Sequence, residues 1–379
     1  MPYDAQTDRP RPGGAGSTRS IAFSWDGLPQ YGARFIRAAV DRLGQKCVVV
    51  GSRPLVPVRG MEQVLGQPIH WVERDRPVRW QDIGLTAPDI FFQAGWSYPH
   101  FTTLGCETKA SGGYVIGQSD ANWRGDFRQL VLGPLAFRAL HRRRFDAMIV
   151  PGRQGERLMT YFGMPVSRVR QGLYGADPSL FNGGGSLEKR SKSFLYVGQF
   201  IARKNVLGLA YAFKRFSELR PGWTLRLIGC GEQRDLIPAD PRIIVEDFVQ
   251  PEELVARYRE ARFFVLPSLR EAWGLVVHEA AFCGCGLILS DAIGSADDLS
   301  TSRNSVRFRA GDDDSLVRAL VDAADRDATW LAAAEAESRT LSGFFGPERF
   351  AAEVANLVDL FAGGSDRSGM RTKKPSRED

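Results

Sequence analysis

The sequence predicts an α/β protein with two doubly wound parallel sheets, one in each of two Rossmann-like domains that face a cleft. Short apolar runs alternate with amphipathic helical patterns, and this series occurs twice along the chain. A glycine-rich segment, residues 182–186, separates the two series, and its three consecutive glycines give the backbone unusual freedom. The length of 379 residues also favours two domains.

These patterns divide the chain into segments. The tails are rich in Gly, Ser, Pro and charge and poor in apolar residues, so we expect both to be disordered. The predicted segments, in order, are a tail (1–20), an N-terminal Rossmann-like domain (21–181), a hinge (182–192), a C-terminal Rossmann-like domain (193–345), a last helix (346–362) and a second tail (363–379).

The first series begins with an apolar strand at residues 21–24 and a loop at 25–31. Gly32 then opens a helix that Gly44 ends, because glycine readily adopts the conformation of a helix C-terminus. The next strand is residues 47–50. Further apolar runs predict strands at 90–92, 113–116 and 147–150.

The second series repeats the alternation after the glycine segment. A strand at 194–197 leads through the loop 198–205 into a helix at 206–216, and a helix at 252–261 follows later. The acidic run at 311–314 is interpreted as a helix N-cap rather than a metal site. The remaining predicted elements are strands at 225–228, 243–245, 263–266 and 287–289 and an amphipathic helix at 348–361.

Composition excludes several classes of protein. No apolar run approaches eighteen residues, and the N-terminus lacks a signal-peptide core, so we expect no membrane span or signal peptide. Five cysteines in 379 residues suggest reduced thiols and a cytoplasmic protein. Cys283 and Cys285 form half of a zinc motif without a second half, so no metal site is predicted.

The concentrated basic feature is the segment 138–144, RALHRRR. One interpretation is a solvated face whose cations complement a helix C-terminus. The other is contact with an anionic membrane surface or an acceptor phosphate. Nucleic acid is not an expected partner, because one short cluster without interleaved aromatic residues is not a binding stripe.

Residues 266–291, LPSLREAWGLVVHEAAFCGCGLILSD, carry the most informative pattern. A strand ends at Pro267, a loop holds Glu271, and a helix that carries Glu279 precedes the next strand, which is a βαβ unit. A loop at the carboxyl end of such a strand is where open α/β sheets bind ligands. Helix N-termini attract phosphate and carboxylates accept hydrogen bonds from hydroxyls, so the turn suits a nucleotide sugar.

This segment resembles the Glu-x7-Glu motif of the retaining glycosyltransferases with the GT-B fold, known as family 4 or group 1. The match includes the Leu-Pro-Ser entry and the Ser-Asp exit at 290–291. The phrase GADPSLF at 175–181 resembles the family's exit from its first domain. The resemblance covers roughly residues 21–362, is strongest from 193 to 320 and is weakest from 52 to 145.

The resemblance implies a donor site in the second domain. Glu271 would face the donor sugar and Glu279 the ribose hydroxyls, while Lys204 would neutralise the diphosphate. The family's usual Arg is replaced by Gln199, so Arg203 is the expected substitute cation. Further donor-binding residues are Trp273, Gly274 and Leu275. The neighbouring His278 is interpreted as a packed residue in preference to a phosphate ligand.

The acceptor side is predicted in the first domain, and the last helix would cross back to brace that domain. Gly32 and Tyr31 stand where the family has a glycine pair near sugar or phosphate. Asp120 follows a strand and would either orient the acceptor hydroxyl or cap the next segment; both interpretations stay open. No first-domain carboxylate is placed as a nucleophile, which favours the family's front-face reaction assisted by the leaving phosphate.

The sequence therefore predicts a retaining, metal-independent glycosyltransferase without a cofactor, which uses a nucleotide sugar, preferably a UDP-sugar, as co-substrate. The expected acceptor is a hydroxyl of a glycan or lipid-linked sugar in surface polysaccharide or glycolipid synthesis. The expected location is the cytoplasm, with peripheral contact at the inner face of an anionic membrane. Two alternatives stay open: a GT-B nucleotide-sugar epimerase, and a catalytically idle nucleotide-sugar-binding protein.

Overall fold

The computed structural model describes residues 19–53 and 60–362, and the strands within these ranges form two parallel sheets. The first sheet has seven strands among the described residues: β1 (Ile21–Trp25), β2 (Val48–Ser52), β3 (His70–Val72), β4 (Ile90–Ala94), β5 (Tyr114–Gln118), β6 (Ala147–Val150) and β7 (Val169–Gln171). The helices of this half are α1 (Gln30–Leu43), α2 (Met61–Leu65), α3 (Pro99–Ala110), α4 (Gly133–Ala136) and α5 (Arg153–Phe162).

The second sheet has six strands in the described part of the chain: β8 (Ser191–Val197), β9 (Thr224–Ile228), β10 (Ile243–Glu246), β11 (Ala261–Leu266), β12 (Gly286–Ser290) and β13 (Ser305–Phe308). Its helices are α6 (Val206–Leu219), α7 (Pro251–Glu260), α8 (Leu275–Phe282), α9 (Ala296–Leu299), α10 (Asp313–Ala324) and α11 (Ala328–Ser342), and α12 (Pro347–Ala362) follows them. Asp312 caps α10 by accepting from the Ser315 amide at 2.8 Å, as the acidic run predicted.

Both sheets reverse strand order at one point. The order is β3-β2-β1-β4-β5-β6-β7 in the first sheet and β10-β9-β8-β11-β12-β13 in the second. The switch points therefore lie between β1 and β4 and between β8 and β11. In open parallel sheets, the carboxyl ends of the strands beside such a point form the ligand-binding crevice.

Apolar side chains on both faces of the first sheet explain its burial between helix layers. In β4, Phe92 belongs to the core beneath α1 and α12, whereas Phe91 belongs to the core on the opposite face. Neighbouring residues of a strand point to opposite faces, so a continuous apolar run is required for a sheet covered on both sides. Phe92 stacks on Phe23 of β1 at 4.7 Å between ring centroids.

The chain passes twice between the halves. Helix α12 returns to the first half, where Phe350 contacts Phe35 of α1 at 5.5 Å and Phe361 stacks on Tyr114 at 4.5 Å. The two crossing segments touch at Gly175, where a Cβ would lie 2.6 Å from the Gly346 nitrogen. Only a residue without a side chain fits this approach.

Several boundaries differ from the predictions. Helix α1 begins at Gln30, two residues before Gly32, because the extended Pro29 is its N-cap. Ser20 is already ordered, since its amide donates to Asp89 at 2.8 Å; residues 1–18 and 363–379 lie outside the described residues. The glycine segment is tied to the second half, because Arg339 donates to the carbonyls of Gly183 and Gly184 at 3.1 and 2.9 Å.

Candidate active site

The carboxyl ends of the two sheets face each other. Asn122, in the loop after β5, donates from Nδ2 to the Glu271 carbonyl in the loop after β11 at 3.0 Å. The amide of Arg153, at the start of α5, donates to Asp298 Oδ2 after β12 at 3.1 Å. These bonds bring the carboxyl ends of the two sheets to one cleft. Burial raises the pKa of Asp298 to about 6.

Glu271 lies beside two cations. Its Oε2 is in direct contact with Lys204 Nζ and lies 3.5 Å from Arg203 Nη1. Lys204 and Glu271 are each 12 % exposed, so their attraction is only partly screened by water. Backbone bonds fix the loop, because the Glu271 amide donates to the Ala292 carbonyl at 3.0 Å. The structure therefore brings Glu271, Lys204 and Arg203 into one cluster.

Glycines shape the entrance to the donor side. A Cβ on Gly229 would lie 1.9 Å from the Gly198 carbonyl oxygen, so the ends of β8 and β9 approach as only glycine allows. Gln199 is exposed at this point, and its carbonyl accepts a hydrogen bond from the Tyr196 hydroxyl at 2.8 Å. The exposed side chain of Gln199 can therefore offer an amide at this position, but not the positive charge of an Arg.

Helix α8 begins at the predicted turn. Gly274 caps it with a φ of +87°, a left-handed conformation that glycine adopts without strain. Leu275 opens the first turn, in which the Val277 amide donates to the Gly274 carbonyl at 2.9 Å; the two amides before it have no acceptor within the helix. One turn later, Glu279 accepts from the Tyr258 hydroxyl at 2.8 Å, and burial raises the pKa of this carboxyl to about 7.

Trp273 and His278 lie in the interior. Trp273 is 4 % exposed and packs on Phe345 at 5.2 Å, so its indole braces the turn from below. His278 Nδ1 accepts from the Ala176 amide at 2.9 Å, and its Nε2 donates to the Ser342 carbonyl at 2.8 Å. Burial lowers the pKa of His278 to about 4, so the ring is neutral. The interpretation of His278 as a packed residue is confirmed.

On the opposite wall, Asp120 is exposed in the loop after β5. Although the residue is exposed, neighbouring protein atoms partly desolvate its carboxyl and raise its pKa. Burial, followed by the charge of Asp120, raises the pKa of Tyr31 to about 12. Gly32 packs beneath them, because a Cβ there would be 3.0 Å from Trp25. The residue that caps the following helical segment is Asp126, which accepts from the Gln129 amide at 2.9 Å, and not Asp120.

Sequence reasoning missed a polar group beside Asp120. Asp26 Oδ1 accepts from the Ser52 hydroxyl at 2.6 Å and lies 3.1 Å from Arg74 Nε. Tyr98 also hydrogen-bonds to Asp26. These four residues stand at or just after the ends of β1, β2, β3 and β4. Three of them follow strands that the sequence predicted, but only the order of the strands in the sheet shows that they meet.

The arrangement separates two kinds of chemistry across one cleft. The second half offers cations, glycine backbone and a helix N-terminus, which suit a diphosphate. The first half offers carboxylates and tyrosine hydroxyls, which suit a hydroxylated molecule. Within the described residues, no three His, Cys, Asp or Glu side chains are grouped so as to hold a metal ion.

Comparison with known proteins finds a family match in the second half of the chain. Residues 191–326 match the family of group 1 glycosyl transferases, which confirms the resemblance seen in the sequence for that region. Glycogen synthase of Mycobacterium tuberculosis is 29% identical over 170 residues. That match covers 43% of this chain and 41% of the relative, so the chain matches less than half the length of this curated protein.

Solved structures extend the likeness to both halves. Anabaena Alr3699/HepE in complex with UDP and glucose superposes with a TM-score of 0.67 at 13% identity and covers 90% of this chain and 100% of that one. A glycosyltransferase from Rickettsia africae gives a TM-score of 0.69 at 10% identity over 92% of this chain and 100% of its own. At such identities the likeness shows the fold alone, and the predicted GT-B fold is confirmed.

Proposed function

We propose, from the match of residues 191–326 to group 1 glycosyl transferases, that this chain is a retaining glycosyltransferase. It moves a sugar from a nucleotide sugar, preferably a UDP-sugar, to a hydroxyl of a glycan or lipid-linked acceptor in surface polysaccharide or glycolipid synthesis. The observation that carries this is the contact of Glu271 with Lys204 and Arg203 beside the first turn of α8. The cluster lies inside the matched region and at the switch point of the second sheet.

On the donor side, negative charge grows on the diphosphate as the glycosidic bond breaks. Lys204 and Arg203 stabilise that charge together with the amides of the first turn of α8, and pre-positioned groups of this kind supply the largest part of many rate enhancements. Glu271 accepts hydrogen bonds from the donor sugar, and Glu279 accepts from the ribose. Two protein cations make a divalent metal ion unnecessary in this scheme.

On the acceptor side, Asp120 orients the attacking hydroxyl. In the front-face reaction the hydroxyl oxygen attacks the anomeric carbon on the side from which the diphosphate leaves. Its proton passes to a phosphate oxygen of the leaving group, so configuration is retained without a covalent intermediate on the protein. Tyr31 and the polar group formed by Asp26 and its neighbours lie on the same side of the cleft and bind the acceptor.

The two alternatives predict different products. An epimerase would need acid and base groups around the sugar, whereas Glu271 is already paired with two cations. An idle binding protein is supported by Gln199, which lacks the charge of the usual Arg. An epimerase converts the donor without any acceptor, and an idle protein binds the donor without releasing UDP.

The test is an assay of UDP release from a panel of UDP-sugars, with and without a membrane extract as acceptor source. Glu271→Ala should reduce turnover more than about tenfold, which corresponds to over ~1.4 kcal/mol of transition-state stabilisation. Glu218→Gln, an exposed carboxylate on α6, is the control. EDTA should have no effect. Undiminished turnover by Glu271→Ala, or isomerised donor without acceptor, contradicts the proposal.

The proposed place of work is the cytoplasm, at the inner face of the membrane. The five cysteines are free thiols, which suits a reducing compartment. Within the described residues, none of the helices is both long and apolar enough to cross a bilayer.

A further inference from the structure

The segment between β5 and β6 presents an apolar surface to solvent. It is helical from Arg128 to His141, with α4 between two wider turns, and we name residues 127–140 the outer helix. Of the 17 large hydrophobic residues that are exposed in the described parts of the chain, six lie in the outer helix. They are Phe127 (70%), Leu130 (40%), Val131 (42%), Leu132 (53%), Leu135 (63%) and Leu140 (59%). Contiguous exposure of this kind marks an interaction site.

The outer helix is anchored by its inner side. Phe137 is buried and packs against Trp96 and Phe162 at 5.7 and 5.6 Å between centroids. Gln129 is also buried, and its Nε2 donates to the Asn122 carbonyl at 2.8 Å. The helix is therefore held in place by its buried residues Gln129, Pro134 and Phe137, while its outward side chains are exposed.

Cations surround the apolar face. Residues 124–144 contain six arginines and a single acid, Asp126, which gives a net charge of +5. Arg143 is exposed, and Arg138 lies at the surface with one bond to the Tyr161 carbonyl at 3.3 Å. An apolar helix face bordered by arginines complements the interface of an anionic bilayer, where acyl chains lie beneath negative headgroups.

Charge argues against a second copy of this chain as the occupant. A two-fold dimer through the outer helix would bring two surfaces of +5 together, and like charges repel. Nucleic acid would leave the apolar residues uncovered. The surface therefore fits a lipid bilayer better than either.

The outer helix adjoins the proposed active site. The loop that precedes it carries Asp120, and Asn122 in that loop donates to the Glu271 carbonyl at 3.0 Å. Gln129 of the outer helix holds Asn122 in turn. The outer helix is therefore linked to the cleft through Asn122.

We propose that the outer helix inserts its apolar face into the interface of an anionic membrane and so delivers a lipid-borne acceptor to Asp120. This rests on the proposed glycosyltransferase function for the acceptor, whereas membrane docking itself stands on the outer helix alone. Salt dependence distinguishes insertion from electrostatic adsorption. Binding through buried apolar side chains persists at high salt, whereas binding through ion pairs is screened.

The test is co-sedimentation of the full chain with vesicles of phosphatidylcholine alone or with 30 % phosphatidylglycerol. We expect binding to the anionic vesicles that persists in part at 0.5 M NaCl. The variant Phe127→Ser/Leu135→Ser/Leu140→Ser should lower the partition coefficient at least tenfold. The control is Leu236→Ser/Phe248→Ser, which removes two equally exposed apolar residues from the second half.

A second measurement locates the contact. With Cys106 and Cys230, the exposed cysteines, changed to Ser, an environment-sensitive dye at Leu135→Cys should shift to the blue on anionic vesicles. The same dye at Leu236→Cys should not. Absence of binding at low salt, equal binding by the triple Ser variant, or a shift only at Leu236 overturns the proposal. Binding that disappears completely in 0.5 M NaCl overturns insertion.

The two proposals fail separately. Release of UDP from UDP-sugars in water does not require the membrane, so the triple Ser variant should keep this slow hydrolysis. Vesicle binding by a protein that never releases UDP refutes the glycosyltransferase proposal and leaves the docking surface standing. Transfer activity by a protein that does not bind vesicles refutes the docking surface and leaves the glycosyltransferase proposal standing.

Discussion

The two halves of the chain have the same strand order around their switch points but different residues at corresponding strand ends. After β8 and β11 the second half carries Lys204 and Glu271, and glycines let the backbone close in. After β1 and β4 the first half carries Asp26 and Tyr98, and Asp120 follows the next strand, β5. The shared topology puts both sets of strand ends at one cleft, and the residues at those ends are the basis for the different roles proposed for the two halves.

Removing the cation of the second half should have the largest effect. Lys204→Gln takes away a charge beside the proposed leaving group, and we expect kcat/KM to fall about a hundredfold, as for loss of one transition-state donor. Donor binding, measured by calorimetry, should weaken as well. Lys192→Gln, an exposed lysine of β8, is the matched control and should leave both unchanged.

A Lys204→Gln protein with normal turnover would show that Lys204 does not supply the charge that distinguishes the second half. In that case Arg203, which lies 3.5 Å from Glu271, would be the cation that matters. Arg203→Gln separates these outcomes.

A substitution at the proposed acceptor site in the first half should reduce transfer to the acceptor without changing donor binding. Asp120→Asn keeps the shape but weakens the hydrogen bond to the acceptor hydroxyl, so transfer should fall more than about tenfold. The affinity for UDP-glucose and its slow hydrolysis in water should stay the same. Asp41→Asn, an exposed carboxylate on α1, is the control. Equal losses of transfer and donor affinity would mean that the two halves do not divide the work.

The same difference explains which parts the sequence could predict. In the second half, Glu271, Gly274 and Glu279 lie within one contiguous segment, so their spacing identified both the turn and the helix. In the first half the polar group comes from separate strand ends: Asp26 and Arg74 are 48 positions apart and meet only because β1, β2 and β3 are neighbours. Contacts of that kind depend on strand order, which local patterns do not contain.

The outer helix shows a second limit. The basic segment 138–144, which begins in its last turn, was recognised in the sequence, but its leucines are indistinguishable by composition from core residues. Phe137 is buried and Leu135, two residues earlier, is 63 % exposed. Exposure follows from the direction in which the helix packs, and wider helical turns change the periodicity from which a buried face is predicted.

The smallest expected effect concerns pH and again lies on the donor side. In its proposed role Glu279 accepts hydrogen bonds from the ribose hydroxyls as a carboxylate, and its pKa is raised to about 7 by burial. As pH falls below 7, the carboxyl takes up a proton and loses acceptor capacity. Affinity for UDP-glucose should therefore decrease about eightfold from pH 7.5 to 6, following the ionised fraction of one group. UDP-glucose is the suitable ligand, because its diphosphate is esterified at both ends and does not titrate in this range, unlike a terminal phosphate. Glu279→Gln should bind more weakly at pH 7.5 and show an affinity that does not change with pH.

The effect of pH on the stability of the free protein has the opposite sign. A carboxyl whose folded pKa is raised from its ordinary value of 4.5 destabilises the fold as pH rises from 4.5 to 7, so Glu279→Gln should gain stability relative to the wild type over that interval. Calorimetric titration and chemical denaturation at four pH values measure both trends on the same two proteins. A wild-type affinity independent of pH would place the ribose elsewhere in the cleft.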